Sequence, residues 1–247
     1  MKLLAAVSAA LALAPAAGSA RVGFPTFGAG CARADFRSGA ASVRAEFCHA
    51  SGSAGRAVVL LHGCGGFSTF DHRLAVELPR QGISTLDVDY FARTLPPSTK
   101  GFCGGRGSGS DPFSTWTRIA RDAAAALRHT TGLNPHRVGA VGWSLGGAVV
   151  LAAAQGRPAD RPFAAVAGFS TAGRDVDAAQ MPPTILLSGG ATDAIPLADT
   201  LPLYQALHRA GVASSLFVYP HGSHSWSGRQ GALGIERASA FLRRYLR

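Results

Sequence analysis

Charged residues are scarce in this 247-residue chain, and the two signs are unevenly represented. Charged residues make up 15% of the sequence and hydrophobic residues 47%, which excludes a disordered, coiled-coil or collagen-like chain. Basic residues number 24 and acidic residues 14, a formal net charge of +10. Such an excess suggests nucleic acid or another anionic partner. The arginines are scattered, however, and only Arg243 and Arg244 are adjacent. We therefore predict no nucleic-acid partner.

Long hydrophobic runs are missing too, except near the N-terminus. Lys2 precedes an apolar stretch, and small residues follow up to Ala20. This arrangement is typical of a secretory signal peptide, and the run is shorter than the roughly 20 residues that span a bilayer. We predict a signal peptide over residues 1–20, with Ala17 as the alternative cleavage site. The mature domain over residues 21–247 is then exported, periplasmic or secreted, with no membrane anchor. A buried first helix is the alternative.

Cysteine is rare as well, and all four cysteines lie in the first half of the chain: Cys31, Cys48, Cys64 and Cys103. An even number of cysteines in an exported chain predicts disulfides, although spacing alone cannot choose among the three pairings. We favour Cys31–Cys48, which would staple the N-terminal extension, and Cys64–Cys103, which would tie two loops together. Four reduced, partly buried thiols are the alternative. Since no CxxC pair and no HxxxH spacing occurs, we predict no metal site.

Apolar runs and helical patterns alternate along the rest of the chain. The runs predict strands at 57–61, 83–88, 137–141, 163–168, 184–188 and 213–219. The periodicity predicts helices at 70–81, 114–131, 145–155, 199–210 and 233–246. Between two of these elements, residues 90–113 are rich in glycine and proline, which predicts a long loop of the kind that is often functional. The alternation predicts an α/β fold, a mainly parallel sheet with helices on both faces. Whether residues 21–55 add strands stays open.

The strongest motif is a glycine-rich junction between a predicted strand and a predicted helix, Gly142-Trp143-Ser144-Leu145-Gly146-Gly147. A G-x-S-x-G nucleophile elbow requires this strand–turn–helix setting. The glycines on either side avoid clashes across a sharp turn, which leaves Ser144 at a helix N-terminus where negative charge is stabilised. We predict that Ser144 is a nucleophile.

A serine hydroxyl needs a base, and in this chain order an acid and a histidine follow the serine. Asp193 comes after the strand at 184–188, and His224 comes after the strand at 213–219. The carboxyl ends of parallel strands form the ligand-binding edge of an open α/β sheet. We therefore predict a catalytic triad of Ser144, His224 and Asp193.

Other carboxylates and a second histidine compete for two of these roles. Asp199 falls within the next predicted helix, while Asp175 and Asp177 precede the strand, so none of them is favoured. His221 directly follows the strand end, whereas His224 lies further into the loop, from which its side chain can swing back over the serine. We interpret His221 as a loop histidine that supports the turn.

Two backbone N–H groups are expected to bind the oxyanion of a tetrahedral intermediate. One belongs to Leu145, which follows the nucleophile. The other should come from the loop after the first core strand, His62-Gly63-Cys64-Gly65-Gly66, and we assign it to Cys64. As a nucleophile Cys64 would lack the glycine elbow, and a disulfide would remove its thiolate. Cys64 is thus interpreted as a backbone donor with a structural side chain.

These motifs resemble the α/β-hydrolase superfamily and, within it, the dienelactone hydrolase family and its exported relatives. The resemblance runs from about Arg56 to the C-terminus. It is carried by LLHGCGG at 60–66, GWSLGG at 142–147, GGATD at 189–193 and HGSHSW at 221–226. It implies an α/β-hydrolase fold with a sheet of about eight strands, a Ser144–His224–Asp193 triad, and no metal or cofactor. The family typically uses a cysteine nucleophile, whereas this chain has a serine.

One further stretch, Asp89-Tyr90-Phe91-Ala92-Arg93, looks like the D-x-Y-x-R stretch of that family, offset by one residue. In the family the arginine helps to hold a substrate carboxylate. The resemblance therefore makes Arg93 a candidate anion clamp, for which a forked guanidinium is suited. A solvated loop arginine is the alternative.

The leading functional hypothesis is a serine hydrolase that cleaves carboxylic esters or lactones of small molecules through an acyl-serine intermediate. A carboxylate-bearing ester would suit Arg93. The same triad would also serve a peptidase or an acyltransferase. From a different class, a non-catalytic basic protein that binds anionic polymers is the alternative. We make no prediction of oligomeric state.

Overall fold

The computed structural model describes residues 30–52, 54–91 and 112–247. The strands in chain order are β1 (Cys31–Arg33), β2 (Phe36–Ser38), β3 (Ala41–Val43), β4 (Ala45–Cys48), β5 (Ala57–Leu61), β6 (Ser84–Val88), β7 (Val138–Trp143), β8 (Val166–Phe169), β9 (Thr184–Ser188) and β10 (Ser214–Val218). The helices are α1 (Thr69–Arg80), α2 (Phe113–Arg128), α3 (Leu145–Ala154), α4 (Leu197–Arg209) and α5 (Gly228–Tyr245), with a short 3-10 helix at Ala178–Gln180.

Eight strands form the central sheet in the order β1-β4-β6-β5-β7-β8-β9-β10. Six neighbouring strands pair in parallel, namely β6, β5, β7, β8, β9 and β10 in their order across the sheet. Strand β4 pairs antiparallel with both β1 and β6. Strand β5 lies in the middle, and all five of its residues are buried, as a strand covered on both faces requires. Strand β10 lies at the edge, where its residues are half-buried and Val218 is exposed.

Helices cover both faces of this sheet. Helices α2, α3 and α4 contribute buried residues to the core on one face, and α1 and α5 contribute to the core on the other. The predicted α/β architecture, a mainly parallel sheet with helices on both faces, is therefore confirmed.

Residues 31–48 form four short strands. Strands β1 and β4 extend the main sheet, while β2 and β3 form a separate antiparallel pair. This pair is tied to α2 by a hydrogen bond of 2.6 Å from the Ser38 hydroxyl to Asp122. The N-terminal segment thus completes the sheet and also extends over one helix.

Strand β8 and helix α5 begin at residues other than the predicted ones. The strand predicted at 163–168 is regular only from Val166, although Ala164 N–H already bonds to the Val138 carbonyl at 2.8 Å. Helix α5 begins at Gly228, five residues earlier than predicted, because Gly231 and Gly234 allow it to approach the Trp226 backbone and ring. A tertiary contact therefore overrides the low helix propensity of glycine.

The predicted Cys31–Cys48 disulfide is present, and it joins opposite residues of the β1–β4 antiparallel pair. Cys64 is also disulfide-bonded, but Cys103 lies outside the described residues, so the Cys64–Cys103 pairing stays a prediction. The same is true of the signal peptide at 1–20. Within the described ranges, no helix is both long and apolar enough to span a membrane.

Candidate active site

Ser144 lies at a sharp turn between β7 and α3. Its backbone has φ +55° and ψ −120°, a conformation that is strained for a residue with a side chain. Side chains at Gly142 or Gly146 would overlap backbone atoms, those of Gly146 in the first case and those of Leu61 and His62 in the second. The Ser144 N–H bonds to the Phe169 carbonyl at 2.8 Å. The turn therefore presents the serine hydroxyl at the carboxyl edge of the sheet.

The structure brings Ser144, His224 and Asp193 into one hydrogen-bonded chain. The Ser144 Oγ lies 3.0 Å from His224 Nε2, and His224 Nδ1 lies 2.6 Å from Asp193 Oδ1. A carboxylate can only accept, so Nδ1–H donates to Asp193 and Nε2 is left to accept the serine proton. Of the competitors, His221 is exposed and Asp199 lies in α4. The geometry is that of a nucleophile, a base and an acid in series.

Backbone and side-chain donors surround the Asp193 carboxylate, whose side chain is fully buried. The Ile195 N–H bonds to Oδ1 at 2.9 Å, and the Gly189 N–H bonds to Oδ2 at 3.0 Å. The Ser170 hydroxyl also donates to Oδ2. Burial by itself would raise the pKa of Asp193, but the hydrogen bonds from His224, Ser170 and Ile195 outweigh it and hold that pKa below its ordinary value. Asp193 is therefore ionised at neutral pH.

Sequence reasoning missed Ser170 and Trp226, which lie behind Asp193. The Trp226 indole N–H bonds to Ser170 Oγ at 2.7 Å, and both residues are completely buried. Ser170 belongs to no motif, and Trp226 ends the HGSHSW stretch at 221–226 without a predicted role. The available signals were the position of Ser170 just after the strand beside the elbow strand and the position of Trp226 two residues after His224.

Trp143, within the elbow motif, contacts the histidine loop as well. Its indole N–H donates to the His224 carbonyl at 2.9 Å, and the two rings lie 5.4 Å apart. A side chain at Gly63 would press on the Trp143 ring. Trp143 thus lies between the histidine loop and the loop after β5, and it helps to hold the His224 backbone.

The loop after β5 contains Cys64, the second predicted oxyanion donor. The Gly63 carbonyl accepts from His62 Nδ1 at 2.8 Å and from the Gly66 N–H at 3.1 Å. Because a trans peptide is planar, its N–H points away from its carbonyl. The two donors that hold the Gly63 carbonyl therefore also fix the direction of the Cys64 N–H. The first predicted donor, Leu145, begins α3, where backbone N–H groups have no partner within the helix.

His62, which fixes this loop, was not among the predicted site residues. Its ring is buried next to other aromatic rings. Its ring stacks on Tyr90 at 4.4 Å, and the Tyr90 hydroxyl donates to the His62 carbonyl at 2.8 Å. Burial lowers the pKa of His62 to about 4, so the ring is neutral and Nδ1–H can donate to the Gly63 carbonyl. The signal in the sequence was the histidine at the start of the glycine-rich loop.

The candidate anion clamp, Arg93, lies outside the described residues, so its role stays a prediction. Three residues of the same stretch, Asp89, Tyr90 and Phe91, are described and have structural contacts. Asp89 pairs with Arg44 at 2.6 Å, and Tyr90 packs against His62. No group of His, Cys, Asp and Glu in the described part of the chain is arranged to hold a metal ion.

A mostly parallel eight-stranded sheet with one antiparallel strand near its edge is the architecture of the α/β-hydrolase fold. The elbow at β7 and the histidine and aspartate after later strands follow the chain order of that class. Residues 45–243 match the model of the dienelactone hydrolase family, and this chain belongs to that family. It is therefore a member of a hydrolase family. No curated protein matches the chain.

Several solved structures share the fold at low sequence identity. A putative dienelactone hydrolase from Klebsiella pneumoniae is 19% identical with a TM-score of 0.72, covering 87% of this chain and 98% of that one. A dienelactone hydrolase from Anabaena variabilis is 22% identical with a TM-score of 0.69, covering 88% and 98%. Esterase 2 of Thermogutta terrifontis, in a structure phosphorylated by paraoxon, is 16% identical with a TM-score of 0.65, covering 91% and 97%. At these identities the likeness describes the fold alone.

Proposed function

We propose that this chain hydrolyses carboxylic esters or lactones of small molecules through an acyl-Ser144 intermediate. The observation that carries the proposal is the hydrogen-bonded series from Ser144 Oγ to His224 Nε2, at 3.0 Å, and from His224 Nδ1 to Asp193, at 2.6 Å. Membership of a hydrolase family supports it. The strained serine between two obligatory glycines supports it as well, because such strain is characteristic of functional positions.

In the first half of the reaction, Ser144 Oγ attacks the ester carbonyl carbon while its proton passes to His224 Nε2. The carbonyl π electrons move onto the oxygen, and the backbone N–H groups of Leu145 and Cys64 stabilise that negative charge. When the tetrahedral intermediate collapses, the bond to the leaving alcohol breaks. His224 returns its proton to the leaving oxygen, and the acyl group stays on Ser144.

In the second half, a water molecule replaces the alcohol. His224 takes a proton from the water as its oxygen attacks the acyl carbon, and the same N–H groups stabilise the new oxyanion. Collapse breaks the bond to Ser144 Oγ, which regains the proton from His224. Asp193 stabilises the imidazolium in both halves, and this requires the ionised carboxylate that its hydrogen bonds maintain.

The catalytic part of the proposal is tested with Ser144→Ala on a panel of aryl esters of different acyl length. The wild type is expected to hydrolyse some of them, and Ser144→Ala to lose on the order of 10⁴–10⁶ in kcat. Ser84→Ala is the matched control, since Ser84 is a buried serine of β6 that accepts the Ala50 N–H. Activity retained in Ser144→Ala would refute the role of this serine.

Paraoxon gives a second readout that does not depend on knowing the substrate, because the esterase from Thermogutta terrifontis is phosphorylated by it. One phosphoryl group per chain is expected, on the peptide that contains Ser144, and none in Ser144→Ala. If the wild type neither reacts nor hydrolyses esters but binds polyanions in a salt-dependent way, the protein is a binding protein instead. Faster cleavage of amides, or transfer to added alcohols, would identify a peptidase or an acyltransferase.

Substrates that carry a carboxylate are part of the proposal through Arg93. In Arg93→Ala, KM is expected to rise about tenfold or more for an ester with a terminal carboxylate, because a charge-assisted bidentate contact is lost. For the neutral ester of the same length, KM should stay the same. Equal effects on the two esters would reject the clamp.

Export is the remaining part of the proposal. The Cys31–Cys48 disulfide supports an oxidising compartment, and the sequence of residues 1–20 has the features of a signal peptide. N-terminal sequencing of protein from the exported fraction is expected to begin at residue 21, or at residue 18 if cleavage follows Ala17. A chain that keeps residues 1–20 and stays in the cytoplasm would contradict export.

A further inference from the structure

We propose that Ser170 is a positioning residue of the active site: held by Trp226, its hydroxyl fixes the Asp193 carboxylate in the orientation that presents one oxygen to His224. The inference rests on the proposed function, since it assigns a role within the same site. Ser170 touches neither Ser144 Oγ nor the ring of His224 in any described contact, so it would act through Asp193.

The direction of the hydrogen bonds along this series follows from the chemistry of its two ends. An indole N–H can only donate, and an ionised carboxylate can only accept. Trp226 donates to Ser170 Oγ at 2.7 Å, so the single proton of the Ser170 hydroxyl is directed to Asp193 Oδ2. The hydroxyl has one arrangement that satisfies both neighbours, and it therefore cannot turn away from the carboxylate without losing a buried hydrogen bond.

The two oxygens of Asp193 are served by different donors. Oδ1 accepts from His224 at 2.6 Å and from the Ile195 N–H at 2.9 Å. Oδ2 accepts from the Gly189 N–H at 3.0 Å and from Ser170. Without Ser170, Oδ2 would keep one backbone donor in a fully buried position. The carboxylate would then be held less firmly in its orientation, and its negative charge would be less fully neutralised.

The backbone around Ser170 supports a positioning role. Ser170 has φ +43° and Trp226 has φ +50°, both in the left-handed region that residues with side chains rarely adopt. The Ser170 N–H bonds to the Leu187 carbonyl at 2.7 Å, which ties Ser170 to β9, the strand that leads to Asp193. Strain of this kind persists where the surrounding structure holds it and is concentrated at functional sites.

The effect on the reaction has a predictable direction. In Ser170→Ala, a less neutralised Asp193 would hold the imidazolium of His224 more tightly, so the acidic limb of the profile of kcat/KM against pH should move to higher pH. We expect kcat to fall about tenfold with KM changed less than twofold, because a less firmly oriented carboxylate no longer keeps the imidazole of His224 aligned with Ser144 Oγ. Trp226→Phe should shift the acidic limb of the same profile in the same direction, but by a smaller amount.

A double-mutant cycle separates this role from a purely structural one. In the Asp193→Ala background, Ser170→Ala should have no further effect on kcat, because a residue that acts through Asp193 has nothing left to act on. Ser170→Gly, which relieves the backbone strain and also lacks the hydroxyl, should match Ser170→Ala. Ser84→Ala controls for the loss of a buried hydroxyl elsewhere. Additive effects in the cycle, or an unshifted acidic limb, would overturn the proposal.

A spectroscopic readout keeps this test independent of ester hydrolysis. In the Ser144→Ala protein, which should not turn over, the proton of the His224 Nδ1–H···Asp193 hydrogen bond is expected as a low-field signal in the proton NMR spectrum. Adding Ser170→Ala should move that signal, whereas adding Ser84→Ala should not. If the wild type hydrolyses no ester but the signal moves, the proposed function fails and the positioning role stands. If esters are hydrolysed and the signal does not move, only the positioning role fails. Should Ser170→Ala not fold, Trp226→Phe provides the same comparison.

Discussion

Replacing Asp87 by asparagine is expected to remove a large part of the pH dependence of this protein's stability. Asp87 lies on β6, opposite Glu46 of β4 and Leu60 of β5. It is completely buried, and neither of its carboxylate oxygens has a hydrogen-bond partner among the described residues. Burial raises the pKa of Asp87 well above its ordinary value, and the nearby carboxylates of Asp71 and Glu46 raise it further.

The sign of the effect follows from proton binding in the two states. Above pH about 4 the unfolded chain releases the Asp87 proton, whereas the folded protein keeps it up to a higher pH. The folded state binds more protons in that window, so the free energy of unfolding falls as the pH rises, by about 1.4 kcal/mol per pH unit for one proton. Over two pH units this amounts to about 3 kcal/mol. Asp71, whose pKa burial raises to about 6, contributes with the same sign.

Urea denaturation followed by tryptophan fluorescence between pH 4.5 and about pH 6.5 measures this slope. The wild type should lose stability with rising pH more steeply than Asp87→Asn, and the two curves should diverge by about 1.4 kcal/mol for each pH unit over which the folded protein keeps the Asp87 proton. Asp160→Asn, at an exposed position, is the matched control and should run parallel to the wild type. If the Asp87→Asn curve also runs parallel to the wild type, Asp87 does not hold a proton in the folded protein and the reasoning is wrong.

Three further variants test other parts of the structure. Gly146→Ala places a Cβ against the carbonyl groups of Leu61 and His62 at the end of β5. It should cost roughly 1–3 kcal/mol or more and abolish the proposed esterase activity; a stable, active variant would contradict the elbow geometry. Cys31→Ser with Cys48→Ser opens a link between residues 17 apart, which should lower the free energy of unfolding in urea by about 3 kcal/mol and leave kcat unchanged. His62→Phe keeps an aromatic ring but loses the donor to the Gly63 carbonyl, so kcat should fall about tenfold at unchanged KM; an unaffected kcat would refute its role in the oxyanion loop.

The parts of the fold that sequence patterns anticipated are those with strong local signals. Strand β9 has the predicted bounds, 184–188, since a strand buried on both faces is a continuous apolar run. The turn at Ser144 was predictable because only glycine fits on either side of it. The positions of Asp193 and His224 followed from the strands before them, since parallel strands end at the same edge of the sheet.

The parts that were not predicted depend on contacts between distant segments. Strands β1 to β4 have three or four residues each and mix polar with apolar residues, so they have no distinctive period. Ser170 and Trp226 are 56 residues apart, and a single serine has no local pattern that predicts an indole donor. Asp87 contradicts the apolar pattern of its strand, and only the pairing of β4 with β6 shows that it lies opposite another carboxylate, Glu46.

The edge position of β10 has a consequence for the heat stability of the proposed site. All residues of β9 are buried, whereas β10 is half-exposed along its length. Edge strands of this kind open at lower free energy than the core. His224 follows β10, while Ser144 follows the buried strand β7. Fraying of this edge is therefore expected to withdraw His224, the proposed base, and to leave the proposed nucleophile Ser144 and its turn intact. On heating, we therefore expect reversible loss of ester hydrolysis at a lower temperature than the cooperative melting of the fold.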